Sequence, residues 1–201
     1  MSQNSTDQRQ QLRRQMRRLR RALSPRQQRE ASRELLRRLT AMPMFHRARD
    51  IALYLPNDGE IDPTPLIEFC WRQGKRTYLP VLHPIRHNRL WFVPYTRNTP
   101  MHRNIYRILE PKVSASPRRP AMGLDLVLLP LVAFDADGAR MGMGGGYYDR
   151  TFAFKQRKGP QGPALIGLAH DFQRVEKLPV ASWDIPLAGI VTDRARYGFR
   201  R

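Results

Sequence analysis

The sequence predicts an α/β protein in which helices cover both faces of a mostly parallel sheet. Short, wholly apolar runs typical of buried parallel strands recur along the 201 residues. Amphipathic helical patterns alternate with these runs, as they do in βαβ units. No stretch has the composition of a linker, and 41% of the residues are hydrophobic. We therefore expect residues 1–201 to form one domain with a sizeable core.

The N-terminal segment predicts two arginine-rich helices, within residues 1–42, that pack on this domain. In the first, over residues 7–23, apolar side chains follow one another at intervals of four, three and four residues: Leu12, Met16, Leu19 and Leu23. Ser24 and Pro25 are suited to the N-cap and first position of a second helix that ends near Met42.

The remaining elements follow from apolar runs and from turn residues. A further helix is expected from Pro63 to Gly74, and another over about 148–154. The proline-rich stretch 96–122 is expected to be mostly loop. The predicted strands lie at 51–55, 77–79, 90–93, 124–129, 164–169 and 187–191.

Charge is the unusual feature of the composition. Lysine and arginine number 36 against 17 acids, which gives a net charge of +19 and points to anionic partners. The first 49 residues hold 14 arginines and three acids, and so 11 of the 19 net positive charges. We expect most of these arginines to lie on solvated helix faces, with one or two near the first helix contacting a phosphate.

The cysteine content and the length of the apolar runs exclude several protein classes. The lone cysteine, Cys70, cannot form an internal disulfide, which fits a reducing compartment. The longest apolar run, 126–134, is shorter than the roughly 20 residues that span a bilayer. No apolar segment follows the basic N-terminus, as a secretory signal requires. We expect a soluble cytoplasmic protein without membrane contact.

The strongest local pattern is a strand that runs into a glycine cluster and then a helix. Four glycines lie within residues 142–146, after Arg140 and before Tyr147 and Tyr148. Glycines leave backbone N–H groups free to face oxygens, and an arginine adds a forked cation, so the pattern indicates an anion site. It fits neither the P-loop nor the Rossmann fingerprint. A tight surface turn without a ligand is the alternative.

The full motif, Ala133-Phe-Asp-x-x-Gly-x-Arg-x-Gly-x-Gly-Gly-Gly-Tyr-Tyr-Asp-Arg150, resembles the signature of the 5-formyltetrahydrofolate cyclo-ligase family. Other segments occur in family order: Glu60-Ile-Asp62, Gly74-Lys-Arg76, Tyr78-Leu-Pro80 and the ending Trp183-Asp184-Ile-Pro186. The resemblance implies a three-layer α/β/α sandwich like those of ribose-5-phosphate isomerase and coenzyme A transferases.

The implied reaction converts 5-formyltetrahydrofolate and ATP to 5,10-methenyltetrahydrofolate, ADP and phosphate, with Mg²⁺. ATP phosphorylates the formyl oxygen, the N-10 nitrogen of the folate attacks, and phosphate leaves as the ring closes. The enzyme aligns two substrates and neutralises developing charge. The folate is often polyglutamylated, and we expect a monomer.

The resemblance also implies roles for individual residues. ATP would be bound by Arg9, Arg13, Arg140, Met141, Gly142, Met143, Gly144, Gly145, Gly146, Tyr147 and Tyr148. The folate would contact Leu55, Glu60, Tyr147 and Tyr148, with Arg140 and Tyr147 acting in catalysis and Asp149 and Asp184 holding Mg²⁺. The alternatives are a helix-terminal carboxylate for Asp149, a loop cap for Asp184 and an exposed turn residue for Glu60.

Other candidates favour structural roles. His170-Asp171 is expected to be a loop pair rather than a catalytic dyad, and Cys70 and Trp183 are expected in the core. A different function, nucleic-acid binding through the arginine helices, also remains open. No recognition motif supports it, so no specific nucleic-acid partner is expected.

Overall fold

A computed structural model describes residues 3–113, 117–158, 161–178 and 183–198, and eleven strands lie within them. The strands are β1 (Asp50–Ala52), β2 (Arg76–Leu82), β3 (Leu90–Pro94), β4 (Met101–Arg103), β5 (Leu109–Pro111), β6 (Leu126–Pro130), β7 (Ala133–Phe134), β8 (Arg140–Met141), β9 (Ala164–Ala169), β10 (Gly189–Thr192) and β11 (Arg196–Gly198). The helices are α1 (Gln3–Arg21), α2 (Pro25–Thr40), α3 (Pro43–Arg47), α4 (Thr64–Arg72), α5 (Tyr147–Phe152) and α6 (Phe154–Lys158).

Seven of the strands form the central sheet, in the order β11-β10-β9-β6-β1-β2-β3. The five inner strands are mutually parallel, and β3 and β11 close the two edges in antiparallel orientation. Parallel pairing requires crossovers, which the helices between the strands supply. The mostly parallel sheet expected from the sequence is confirmed.

Alternate side chains of the strands point to opposite faces of the sheet and build two separate cores. On one face, Ile51, Leu126 and Ile166 pack against α2, α3 and α4. On the other face, Val127 and Leu165 pack against aromatic rings that include Phe152 of α5. Helices thus cover both faces, which confirms the three-layer arrangement.

The two N-terminal helices attach to the fold in different ways. Ser24 and Gln27 form a reciprocal capping box at the start of α2, so the predicted cap is confirmed. Helix α2 buries Leu35 and Leu39 against the sheet. Helix α1 instead packs Met16 against β7 and β8 and lies near the carboxyl ends of the central strands.

The stretch 96–122 is mostly loop in its described residues, as predicted, but it also contains the unpredicted hairpin of β4 and β5. Helix α3, helix α6 and strand β11 were not predicted either. These elements contain only three to five residues each, and so carry too little periodicity to be recognised. No helix among the described residues combines the length and apolarity of a membrane span.

Candidate active site

A cavity of about 730 Å³ opens at the carboxyl ends of β1 and β6. Ligands of open α/β sheets commonly bind at this edge of the strands. Helix α1, the turn 57–60, the β4–β5 hairpin and the glycine loop 142–146 form its walls. All of the site residues predicted from the sequence except Met141 line it: Arg9, Arg13, Leu55, Glu60, Arg140, Gly142, Met143, Gly144, Gly145, Gly146, Tyr147, Tyr148, Asp149 and Asp184.

Helix α1 presents a stripe of four arginines to the cavity. Arg9, Arg13, Arg17 and Arg20 follow one another at intervals of four, four and three residues, which places them on one helix face. Arg13 Nε donates a hydrogen bond to the carbonyl oxygen of Gly142 at 2.9 Å, so the stripe contacts the glycine loop directly. Burial and the neighbouring Arg9 lower the pKa of Arg13. Such crowding of like charges favours an anionic ligand.

The glycine loop has a backbone that needs glycine. Gly144 and Gly146 have φ angles of 104° and 64°, which side-chain-bearing residues rarely adopt. Met141, just before the loop, is buried beside Met16 and Val132 instead of lining the cavity. Its side chain therefore anchors the loop to α1 and to the core.

Arg140 ties the glycine loop to the segment around Ile185. Its Nη2 donates to Asp149 Oδ1, and its Nη1 donates to the carbonyl oxygen of Ile185. The N–H of Ile185 donates to the same Asp149 oxygen at 3.1 Å. The Arg140 side chain is 7% exposed, so this pair is held in a fixed geometry at the cavity wall.

The two predicted metal ligands, Asp149 and Asp184, both line the cavity. The described residues contain no group of three or more histidine, cysteine or acidic side chains that would bind a metal unaided. Mg²⁺ is commonly held by one or two carboxylates together with substrate phosphates. The donors present therefore fit Mg²⁺ only as part of a complex with a phosphorylated ligand.

Glu60 lies inside the cavity wall, which excludes the alternative of an exposed turn residue. Its side chain is 13% exposed, and Oε2 accepts a hydrogen bond from the N–H of Asn57 at 3.1 Å. Burial raises the pKa of Glu60 to about 7, while Arg20 opposes the rise. The carboxyl group therefore titrates near neutral pH.

Asp58, next to Glu60, binds three arginines of α1. Its carboxylate accepts hydrogen bonds from Arg17, Arg20 and Arg21. Arg17 and Arg21 lower the pKa of Asp58 against the effect of burial. This cluster fixes the turn 57–60 to the helix.

A pair of tyrosines closes another side of the cavity. The hydroxyl groups of Tyr106, on the β4–β5 hairpin, and Tyr147 are 2.7 Å apart. Burial and this hydrogen bond raise the pKa of Tyr147 to about 12, and burial also raises that of Tyr148. Both phenols are therefore neutral hydrogen-bond donors at physiological pH.

The structure also adds residues to the site that were not predicted. Arg17 and Arg20 continue the predicted Arg9 and Arg13, and their helical spacing was a usable signal. Tyr106 lies on the unpredicted hairpin and had no such signal. The expectation that Trp183 is a core residue was wrong, because it is 58% exposed and lines the cavity.

His170 and Cys70 have the expected structural surroundings. Cys70 lies on the buried face of α4, within the core. His170 is buried, and its Nε2 lies 3.3 Å from the carbonyl oxygen of Gly59. The imidazole thereby supports the turn 57–60 from behind.

Comparisons with known proteins agree with the geometry. A family model, that of the 5-formyltetrahydrofolate cyclo-ligase family, matches residues 5–193. The 5-formyltetrahydrofolate cyclo-ligase of Escherichia coli is 46% identical over 177 residues, covering 88% of this chain and 96% of that protein. The Haemophilus influenzae protein of the same name is 42% identical over 187 residues, covering 93% and 98%. The solved structure of Aquifex aeolicus 5,10-methenyltetrahydrofolate synthetase matches with a TM-score of 0.80 and 29% identity, covering 96% of this chain and 93% of that one.

Proposed function

Because the chain belongs to the 5-formyltetrahydrofolate cyclo-ligase family and is therefore a ligase, we propose that it converts 5-formyltetrahydrofolate and ATP to 5,10-methenyltetrahydrofolate, ADP and phosphate. This proposal rests mainly on one observation: the residues that match the family line a single cavity. The α1 arginine stripe, Glu60 and the segment from the glycine loop to Asp149 are far apart in sequence but line the same space.

The cationic side of the cavity suits the ATP phosphates. Arg9 and Arg13 supply two guanidinium groups within one helical turn, beside the glycine loop. Arg9 Nε is buried without a hydrogen-bond partner among the described residues, so it has a donor available for a ligand. Residues 140–148 would surround the phosphates with the side chain of Arg140 and the N–H groups of the loop.

The part of the cavity around Glu60 suits the pterin ring. A carboxylate accepts two parallel hydrogen bonds from the amino group and ring N–H of a pterin. Glu60 places such a carboxylate in the cavity. Leu55 and Tyr148 line the cavity with it and provide apolar and aromatic surface for the ring. Tyr147, which also lines the cavity, is a neutral donor suited to the formyl group.

Catalysis would consist of alignment and charge stabilisation. Arg140 is fixed by Asp149 and Ile185, so its charge needs no reorganisation when the phosphoryl group transfers to the formyl oxygen. Asp149 and Asp184 would hold Mg²⁺, which neutralises phosphate charge when bound. Attack by the N-10 nitrogen then closes the ring, and no protein nucleophile is needed.

The test is formation of the methenyl chromophore from 5-formyltetrahydrofolate by purified protein with ATP and Mg²⁺. We expect Arg140→Ala and Asp149→Ala each to lower kcat at least about 100-fold, as loss of a fixed charge-stabilising group does. Arg26→Ala is the matched control, because it removes the same charge from an exposed site on α2 and should leave kcat unchanged. Absence of turnover in the wild-type protein, or full activity of either cavity variant, would contradict the proposal.

The remaining partners follow from the same cavity. We propose a monomer, since one chain supplies every wall, and a folate whose glutamate tail is attracted by the +19 charge. The free thiol of Cys70 fits a cytoplasmic location. Residues 1–201 would form a single cyclo-ligase domain, because α1 and α2 both pack on its core. Four α1 arginines face the cavity, so we do not assign that helix face to nucleic acid.

A further inference from the structure

Arg20 is a buried cation with unused hydrogen-bond donors. Its side chain is 0% exposed, and Nη2 donates to Asp58 at 3.2 Å. Nε and Nη1 have no hydrogen-bond partner among the described residues. Nη1 lies 3.8 Å from Glu60 Oε1, beyond hydrogen-bond distance but within range of a strong charge interaction.

Asp58 does not compensate Arg20 alone. The same carboxylate also accepts hydrogen bonds from Arg17 and Arg21, so a single negative charge is shared by three guanidinium groups. A buried charge without adequate compensation is unfavourable by several kcal/mol. The next acid facing Arg20 is Glu60, whose carboxylate accepts no hydrogen bond from another side chain among the described residues.

The turn 57–60 holds the side chains of Arg20 and Glu60 next to each other. Gly59 has a φ of 73°, and a Cβ there would lie 2.7 Å from the carbonyl carbon of Arg20. The turn therefore packs directly on the α1 backbone at Arg20. The Gly59 carbonyl oxygen also accepts a hydrogen bond from Gln28 of α2 at 3.2 Å, which fixes the turn from a second helix.

We propose that Arg20 is a positioning residue, which keeps Glu60 ionised and oriented so that this carboxylate accepts both hydrogen bonds from the pterin ring of the substrate. The role rests on the proposed function, because it assumes that Glu60 contacts the folate. Arg20 acts through Glu60 and does not itself need to touch the substrate.

The groups facing Glu60 explain why a cation is needed there. Burial raises the pKa of Glu60 to about 7; Arg20 and the N–H of Asn57 oppose this rise, and the nearby Asp58 adds to it. Tyr54 and Tyr148, from β1 and α5 segments, are neutral, because the pKa of each is raised by burial. Arg20 is thus the cation that keeps the carboxyl group in its double-acceptor form near neutral pH.

The experiment compares pH profiles of kcat/KM for 5-formyltetrahydrofolate, at saturating ATP, between pH 5.5 and 9. The wild-type enzyme should lose activity as the pH falls through about 7, where Glu60 protonates. Arg20→Met should move this acid limb upward by at least about one pH unit and raise the folate KM about tenfold at pH 7. The ATP KM should change less than about twofold, and Arg20→Lys, which retains the charge, should restore most of the wild-type profile.

The matched control is Arg21→Met. Arg21 binds the same Asp58 carboxylate but is 60% exposed and does not line the cavity. Its loss should leave the acid limb and both KM values unchanged. Loss of activity in Arg20→Met at every pH, with an unshifted limb and lower Tm, would assign Arg20 a purely structural role and overturn the proposal.

Two further measurements separate the proposal from its premise. In an otherwise unchanged enzyme, Glu60→Gln should abolish the acid limb, and adding Arg20→Met to it should not alter the folate KM further. If Glu60→Gln leaves the folate KM unchanged, the premise fails; if only Glu60→Gln has an effect, the role of Arg20 fails. Should Arg20→Met not fold, Arg20→Gln decides, since an unshifted limb in this polar variant contradicts the proposal.

Discussion

Two buried carboxyl groups at opposite ends of β1 behave in opposite ways. Asp50 begins the strand and is 4% exposed, whereas Glu60 lies beyond its end and is 13% exposed. Both face arginines. Yet the pKa of Asp50 is lowered to about 2, while that of Glu60 is raised to about 7.

Hydrogen bonding accounts for the difference. Asp50 accepts two hydrogen bonds from Arg76, at 2.7 and 2.6 Å, and one each from Tyr78 and Arg119. Glu60 accepts one from the backbone of Asn57, and its arginine remains 3.8 Å away. A saturated carboxylate stabilises the fold, whereas an under-coordinated one retains acceptors for a ligand.

The largest expected effect is on the saturated group. Asp50→Asn should lower the free energy of unfolding by about 3 kcal/mol, because it leaves Arg76 and Arg119 without their shared anion. Chemical denaturation measures this. Asp137→Asn, which removes an equal charge from an exposed residue, is the control. The turnover of folded Asp50→Asn should equal that of wild type. A lower turnover would contradict the contrast between Asp50, which stabilises the fold, and Glu60, which binds the ligand.

The pH dependence of stability should have opposite signs at the two groups. The lowered pKa of Asp50 gives stability above pH 3.8 that is lost as the pH falls through about 2. The raised pKa of Glu60 gives stability below pH 4.5 that is lost as the pH rises through about 7. As the pH rises from 4.5 to 8, Glu60→Gln should therefore gain stability relative to wild type by on the order of 3 kcal/mol. Parallel curves for the two proteins would contradict the assignment.

Glu60→Gln should lower kcat/KM for the folate about 30-fold at pH 8, or ~2 kcal/mol, because an amide accepts only one of the two pterin hydrogen bonds. The KM for ATP should not change. Glu68→Gln, on the surface of α4 away from this cavity, is the matched control and should match wild type. Steady-state kinetics with each substrate varied in turn distinguishes these outcomes.

The smallest expected effect concerns the tyrosine pair. Tyr106→Phe should raise the folate KM about fivefold, or ~1 kcal/mol, since it removes the hydrogen bond that orients Tyr147. In a protein that already carries Tyr147→Phe, adding Tyr106→Phe should have no further effect, because Tyr147→Phe has already removed the hydrogen bond between the two hydroxyl groups. Additive losses in this cycle would show that the two hydroxyl groups act independently.

The sequence was sufficient to predict features that have strong local signals. Ser24 and Pro25 marked the start of α2, and the apolar run 164–169 coincides with β9. The motif from Arg140 to Asp149 predicted an anion site, because glycines free backbone N–H groups and an arginine adds a cation, and all of its residues except Met141 line the cavity.

Features that depend on distant contacts were not predictable. The burial of Arg20 depends on the turn 57–60, and the surroundings of Tyr106 depend on a hairpin of two three-residue strands. Trp183 resembles a core residue by composition, and only the position of the 183–186 segment at the cavity mouth exposes it. Such placements result from tertiary packing and leave little trace in local periodicity.

The attachment of α1 depends on residues that lie much later in the chain. The hydrogen bond from Arg13 to Gly142 joins residues 129 positions apart, and Met16 packs on Val132 and Met141. Helix α1 can therefore dock only after the glycine loop, much later in the chain, has been synthesised. Before α1 docks, its arginines lack the acceptors on Gly142 and Asp58 that they have in the folded protein. The positive charge that we propose binds the ATP phosphates is thus assembled only when α1 docks on the glycine loop.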